Sequence, residues 1–494
     1  MLSKAVGGDG GGAALAPPHS RKEEARITMA MLSSDNTRGA RYRESLAGKT
    51  IAVVGLAKSG VAAARLLCRL RARVLASDSS PLEALAAEAR ALDREGCALW
   101  GGGHPDAAFV GADLVVVSPG VPLELPALAA VRAREVPIIG ELELAWRVME
   151  ADAIAITGTN GKTTTTALTG ELLRTQVRPV LVGGNIGTPL AEHALEFPGD
   201  GLVVAETSSF QLDTIELFRP RVAAILNVTP DHLDRHGTFA RYVDAKARIF
   251  ANQTPTDCAV LNADDPVTAG LAGRARGRVI WFSRLTTLTH GVFIYDGWIV
   301  AKLNGSTERI CPVGEITLRG PHNVENVLAA TACALWTGMA PSAIRRGIAA
   351  FRGVAHRIER VHDDRGVVYY NDSKGTNVDS TIKALESFTE PVVLIAGGKG
   401  KGQDFGPLAA AARGRVRHAV LIGQDRGQIR AALEPAGIPV EDAESMDDAV
   451  RRAREAARVG DVVLLSPACA SFDMFRNFEH RGDVFKSVVR ALVG

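Results

Sequence analysis

A chain of 494 residues, 46% hydrophobic and 23% charged, can fill about three cores, which suits a globular protein and excludes a disordered or fibrous one. A net charge of +2 argues against a surface built mainly for nucleic acid, and no apolar run reaches the roughly 18 residues of a membrane span. Six cysteines, at 68, 97, 258, 311, 333 and 469, include no CxxC pair, so they read as reduced cytosolic thiols rather than a zinc site or disulfide framework.

Residues 1–45 are rich in Gly, Ser, Arg and Ala without periodicity, which predicts a disordered extension. A first unit, 46–141, opens with strand 50–55, the turn GLAKSG, a helix over 61–70 and a second strand ending at Asp78. This is a Rossmann-like βαβ pattern. Its glycine positions are Gly55, Ala57 and Gly60, and the absent middle glycine is the one that admits a pyrophosphate, so NAD is disfavoured. Another nucleotide-like ligand and a purely structural turn both stay open. LVVVSPG, 114–120, ends a further strand at the same sheet edge.

The second unit, 142–353, carries IAITGTNGKTTTT at 154–166. Ile154 to Thr157 predicts a buried strand, Gly158-Thr159-Asn160-Gly161 a tight turn, and Lys162 with Thr163 the start of a helix. Unpaired N–H groups and the dipole at such a helix start attract phosphate; Lys162 suits the β/γ-phosphates and Thr163 suits Mg²⁺. The spacing is GxxGKT, shorter than the usual GxxxxGK[ST]. VLVGGNIG then supplies Asn185, LVVAETSSFQL runs a strand into Glu206, and AAILNVTPDHLDRHG leads to Asp231, His232 and Asp234. Strand ends offering Lys162/Thr163, Glu206 and His232 predict a metal–nucleotide site. Over 239–250, Phe239, Tyr242, Val243, Ile249 and Phe250 make a helical apolar stripe with Lys246 inside it. An inward lysine is costly unless paired or modified; the alternative is a packed stem with a snorkelling ammonium. A helix over 321–335 puts Asn323 and Asn326 in its first turn.

The third unit, 354–494, begins AHRIERV. VVYYNDSKGTN is a strand entering a turn with Asp372, Lys374 and Thr376; PVVLIAGGKGKGQDF is a strand entering a basic loop with Lys399 and Lys401. VRHAVLIG and DVVLLSPACASFDMFRNFEHRG complete the pattern, the latter carrying Ser471 and Phe478. The expected class is α/β: a Rossmann-like domain, a P-loop domain with a mainly parallel sheet, and a second Rossmann-like domain.

GTNGKTT, GGNIG, ETSSFQL, NVTPDHLDRH, HNVEN, AHRIE, NDSKGTN and SPACASFDMFRNFEHRG together resemble the Mur ligases of peptidoglycan synthesis, from about Lys49 to the C-terminus. The last two, with GLAKSG and SPG, resemble the branch that adds D-glutamate. The resemblance implies that ATP phosphorylates the alanyl carboxylate of UDP-N-acetylmuramoyl-L-alanine and that the D-glutamate amine displaces phosphate from it. It implies ATP contacts at Gly158, Thr159, Asn160, Gly161, Lys162, Thr163, Thr164, Asn323, Asn326, Arg357, Asp372 and Lys374. It places Glu206 and His232 on a second Mg²⁺ besides the one at Thr163, with Lys246 carbamylated to help order the metal. Lys162, Glu206, His232 and Lys246 are the implied catalytic set. Lys58, Ser59, Asp78, Ser79, Gly120 and Asn185 fall where the family holds the UDP substrate, and Thr376, Lys401, Ser471 and Phe478 match the D-glutamate pocket. A monomeric, cytoplasmic bacterial enzyme without nucleic-acid or membrane partners is expected. The nearest alternatives are the L-alanine-adding ligase and folylpolyglutamate synthase. A nicotinamide oxidoreductase and a non-catalytic P-loop scaffold are the readings from other classes.

Overall fold

The computed structural model describes residues 38–174, 178–400 and 402–493. Three sheets organise them. The first has the order Ala98–Trp100, Arg73–Ser77, Thr50–Val54, Leu114–Val117, Ile138–Gly140, all parallel. Ile51 to Val54 are buried on both faces, as a parallel strand covered by helices requires. The chain reverses direction across the sheet between Thr50–Val54 and Leu114–Val117, and ligands of open α/β sheets sit at such a switch point. There Ser118 Oγ donates to Gly55 O at 2.7 Å, joining the two loops. The helix Lys58–Arg69 starts earlier than the sequence pattern predicts, so Lys58 and Ser59 occupy its first turn. Gly60 permits this: a Cβ there would lie 1.8 Å from Gly55 O.

The central sheet has nine strands, in the order Ser306–Pro312, Trp298–Leu303, Gly291–Tyr295, Arg278–Ser283, Cys258–Asn262, Val222–Ile225, Asp152–Thr157, Leu202–Glu206, Val180–Gly184. It is parallel except for the two hairpins at one edge. Those hairpins turn on Asp296-Gly297 and Asn304-Gly305, all four residues at positive φ, the geometry that suits the right-handed twist of the flanking strands. Register sets Gly184 and Ile156 on either side of Glu206, and Thr157 beside Ile225. The loops that follow these strands therefore converge on one edge. The third sheet runs Glu359–Asp364, Val367–Asn371, Val462–Leu465, Val392–Gly397, Val416–Ile422, Val440–Asp442, with only the first strand antiparallel.

Residues 1–37 of the expected disordered extension lie outside the described residues. From Arg38 onward that expectation is corrected: Ala40–Ser45 is a helix and Tyr42 is buried. Arg38 lies 4.6 Å from the Trp146 ring centroid and donates to Trp146 O at 3.1 Å and to Ala151 O. Arg43 donates to Val148 O at 3.0 Å and pairs with Glu150. So short a helix has no periodic signal to read, and its order comes from docking on Glu141–Val148.

Candidate active site

The phosphate-loop geometry begins at Gly161, whose φ of 82° caps the helix Lys162–Leu173. A side chain at 161 would also strike Asn326, because a Cβ there would lie 2.2 Å from Asn326 Oδ1. Asn326 is fixed in turn by Thr165 Oγ1, donating at 3.2 Å, and by its own Nδ2, which donates to Asn323 Oδ1 at 3.0 Å. Asn227 props the other side of the loop. Its backbone carbonyl accepts from Thr159 N at 2.9 Å and its Oδ1 from Asn160 N at 2.9 Å. Sequence reasoning missed Asn227, although its place at the end of the strand that leads to His232 was a signal.

Lys162 folds back over its own turn. Its Nζ donates to Gly158 O at 2.9 Å and Thr159 O at 2.8 Å. Burial lowers its pKa, with Glu206 and Asp231 opposing. Lys246 is turned inward, which decides between the two readings of its helix. Its ammonium is buried, donates to Gly158 O at 2.8 Å and lies 4.6 Å from the Tyr242 ring centroid. Burial first, then Lys162, hold its pKa well below the usual lysine value. Tyr242 OH lies 3.2 Å from Thr159 Oγ1, so the stripe that carries Lys246 also braces the loop.

Glu206 is buried and its Oε1 accepts from Asn185 Nδ2 at 2.7 Å. Its Oε2 is buried without a hydrogen-bond partner among the described residues. A buried carboxyl oxygen with spare lone pairs, in a cleft that Thr163 also lines, fits Mg²⁺. No group of three or more His, Cys, Asp or Glu gathers among the described residues, so an ion there would draw its remaining ligands from phosphate and water, as Mg²⁺ commonly does. His232 sits at φ 51° with a half-exposed side chain, its ring centroid 5.0 Å from that of Phe210. His236 is the buried histidine of that loop, its Nε2 3.0 Å from Ser209 Oγ.

Two clefts meet at Glu206. The larger, about 460 Å³, is lined by Thr159 to Thr164 together with Asn323, Asn326, Arg357, Asp372 and Lys374. Every ATP contact implied by the resemblance lines it except Gly158. Phe282, Arg284, His322 and Glu325, which sequence reasoning missed, also line it; Arg284 Nε pairs with Glu325 Oε1 at 3.0 Å. Burial drives the His322 pKa down to about 4. The smaller cleft, about 310 Å³, is lined by Lys58, Ser59, Pro119, Phe478 and Glu479. Asn185, Glu206 and Lys374 line both.

Not every expected residue reaches a cleft. His232, Lys246, Asp78, Ser79, Gly120, Thr376 and Ser471 line neither. The Asp78 carboxylate accepts from Leu56 N at 2.6 Å and Ser80 N at 2.8 Å; burial would raise its pKa, but these bonds hold it low. It therefore shapes the Gly55–Gly60 turn. Lys401 lies outside the described residues. Behind Phe478, fully buried Arg481 was also missed: it donates to Ser373 Oγ at 2.9 Å, Ser373 O at 2.8 Å and Cys469 O at 3.1 Å. It ties the Asp372-to-Thr376 turn to the loop carrying Ser471.

Residues 49–140 match the model of the Mur ligase MurD-like N-terminal domain, 156–334 the Mur ligase middle domain, and 356–469 the Mur ligase glutamate ligase domain. The chain belongs to the Mur ligase family. Among its relatives in the family are UDP-N-acetylmuramoylalanine–D-glutamate ligases. The one from Pelotomaculum thermopropionicum is 49% identical over 90% of this chain and 98% of the relative; that from Acidobacterium capsulatum is 50% identical over 90% and 97%. Solved Mur ligase structures share the fold. The UDP-N-acetylmuramate-alanine ligase of Thermotoga maritima superposes with a TM-score of 0.57 at 21% identity, covering 90% of this chain and 99% of that one. A pseudomurein peptide ligase of Methanothermus fervidus gives 0.56 at 18%, with 90% and 100% covered. Membership of a Mur ligase family implies ATP use and overturns the nicotinamide oxidoreductase reading. No helix among the described residues is long and apolar enough to cross a membrane.

Proposed function

We propose that this Mur ligase joins D-glutamate to UDP-N-acetylmuramoyl-L-alanine, driven by ATP, as a monomeric cytoplasmic step of peptidoglycan precursor synthesis. The observation that carries the reading is the sharing of Asn185, Glu206 and Lys374 by two clefts. One cleft has a phosphate loop, and the other has the first turn of Lys58–Arg69 opposite Phe478. The names of relatives at 49–50% identity support the same acceptor and donor, against the L-alanine-adding and folate alternatives.

In this reading the triphosphate lies along Thr159 to Thr164, its charge met by the helix N-terminus and Lys162. Lys162 leaves the carbonyls of Gly158 and Thr159 to follow the γ-phosphoryl group. The alanyl carboxylate oxygen attacks γ-phosphorus as the bond to the β-phosphate breaks. The D-glutamate amine then adds to the acyl carbon and loses a proton, and the tetrahedral adduct expels phosphate to leave an amide. A carboxylate is a poor electrophile until its oxygen becomes a leaving group, which is why ATP is needed. Thr163, Glu206 and His232 would hold Mg²⁺, two ions in all, which supply charge neutralisation of the transferring phosphoryl group. Burial of Lys246 favours the neutral amine, which would capture CO₂ with loss of a proton, and the resulting carbamate would supply an anion to help order the ion. Lys58, Ser59 and Asn185 bind the UDP substrate, and Thr376, Lys401, Ser471 and Phe478 receive D-glutamate, whose two carboxylates call for cationic and hydroxyl donors.

The test is an amino-acid panel with ATP and UDP-N-acetylmuramoyl-L-alanine, reading product mass and phosphate release. D-glutamate should give the single major product, with phosphate release dependent on both substrates. Release with L-alanine and the unextended UDP-sugar, or with a folate, would overturn the assignment.

A further inference from the structure

Away from both clefts, the Cys68 and Cys97 sulfurs lie 3.1 Å apart, both as free thiols. Cys68 is half-buried in the last turn of Lys58–Arg69, whereas Cys97 is buried just before Ala98–Trp100. The approach is fixed from both sides. Arg65 Nε and Nη2 donate to Glu95 Oε1 at 3.1 and 2.9 Å, and Cys97 N donates to Leu92 O at 3.0 Å. The remaining four cysteines are all buried. The pair is also asymmetric: the hydrogen bond between the thiols draws the Cys68 pKa down and pushes that of Cys97 up. A half-buried thiol with a lowered pKa beside a fully buried one is the arrangement of an attacking and a resolving cysteine.

We propose that Cys68 and Cys97 form a hydroperoxide-reactive dithiol site, with Cys68 the nucleophile and Cys97 the resolving thiol. The Cys68 thiolate attacks one peroxide oxygen, the O–O bond breaks, and protonation gives a Cys68 sulfenic acid and an alcohol, or water when the oxidant is hydrogen peroxide. Cys97 sulfur then attacks Cys68 sulfur, the S–O bond breaks, and the hydroxyl leaves as water with the Cys97 proton. The two thiols together lose two electrons and two protons, and the peroxide is reduced. The disulfide fastens the far end of the helix whose first turn carries Lys58 and Ser59 to an edge of its sheet. This site is independent of the ligase reading.

The experiment treats the full chain with hydrogen peroxide near pH 7, blocks free thiols by alkylation, and maps peptides by mass. The expected result is a linked peptide joining residues 68 and 97, two hydrogens lighter than the reduced pair, formed before any other cysteine is oxidised and reversed by dithiothreitol. Cys97→Ser should instead accumulate a Cys68 sulfenic acid that dimedone traps, and Cys68→Ser should give no linked peptide. Wild-type protein that goes to Cys68 sulfinic acid without a cross-link, or that links the pair only in denaturant, overturns the proposal. The wild-type map decides the question even if a variant folds poorly.

Discussion

Asn160, in the phosphate loop, donates through Nδ2 to Asp379 Oδ2 at 2.9 Å and so joins that loop to the helix Val378–Leu385 of the third sheet unit. Lys374 Nζ makes a second such link, donating to Thr163 Oγ1 at 3.1 Å. The two contacts draw the C-terminal unit over the nucleotide cleft. Asp379→Ala should raise KM for ATP about fivefold, the effect of roughly 1 kcal/mol from one hydrogen bond, with kcat moved less. Asp379→Asn keeps the accepting oxygen and should restore most of the affinity. Equal KM values in wild type and Asp379→Ala would remove the latch.

Lys162→Met removes the charge proposed to follow the phosphoryl group. A kcat loss of at least about a hundredfold is expected, with an unchanged circular dichroism spectrum. Steady-state phosphate release measures it, and near-normal turnover would refute the role.

Lys246 is expected to act as its carbamate. Lys246→Ala should be nearly inactive and regain part of its activity in acetate, because a small carboxylate can occupy the vacated space and stand in for the proposed carbamate. Lys246→Arg should not be rescued, since it fills the site and keeps its positive charge. A fully active alanine variant, or an intact mass lacking added CO₂ under native conditions, contradicts this.

Glu141 gives a pH dependence remote from catalysis. It is buried, accepts from Ala191 N at 2.7 Å, and burial raises its pKa to about 7 from 4.5. A folded-state pKa above the unfolded one means the native state binds the extra proton. That stability is fully present below pH 4.5 and is lost as pH rises through about 7. Glu141→Gln stays neutral throughout. Its stability advantage over wild type should therefore grow from pH 5 to pH 8, up to about 3 kcal/mol by linkage, as read from urea unfolding. A gap that narrows with rising pH would show the sign to be wrong.

The segment 38–46 should contribute to the stability of the first unit. Tyr42→Ala should cost about 3 kcal/mol, as loss of a buried aromatic does, and lower Tm. Removing residues 1–37 should leave Tm and activity intact, whereas removing 1–46 should lower Tm. Equal Tm values for the two truncations would show that the Arg38 and Tyr42 contacts contribute nothing.

The sequence by itself determined what depends on neighbours along the chain. Alternating apolar strands and helices give three α/β units, and Gly158 to Thr163 gives a phosphate loop, because a strand, a glycine turn and a helix N-terminus are set by local residue order. The inward face of Lys246 was legible from helical periodicity, but what it meets was not: Gly158 lies 88 residues away. The same limit explains the other gaps. Asn227 against the loop, Arg481 behind Phe478 and Asn160 on Asp379 are long-range contacts between polar groups, which carry no periodic signal. The Ala40–Ser45 helix is too short to stand without the surface it docks on, so only the tertiary structure decided its order. Tertiary structure likewise decided that Glu206, Asn185 and Lys374 stand where two clefts meet. That position depends on the register of parallel strands drawn from distant parts of the chain and on the packing of one sheet unit against another.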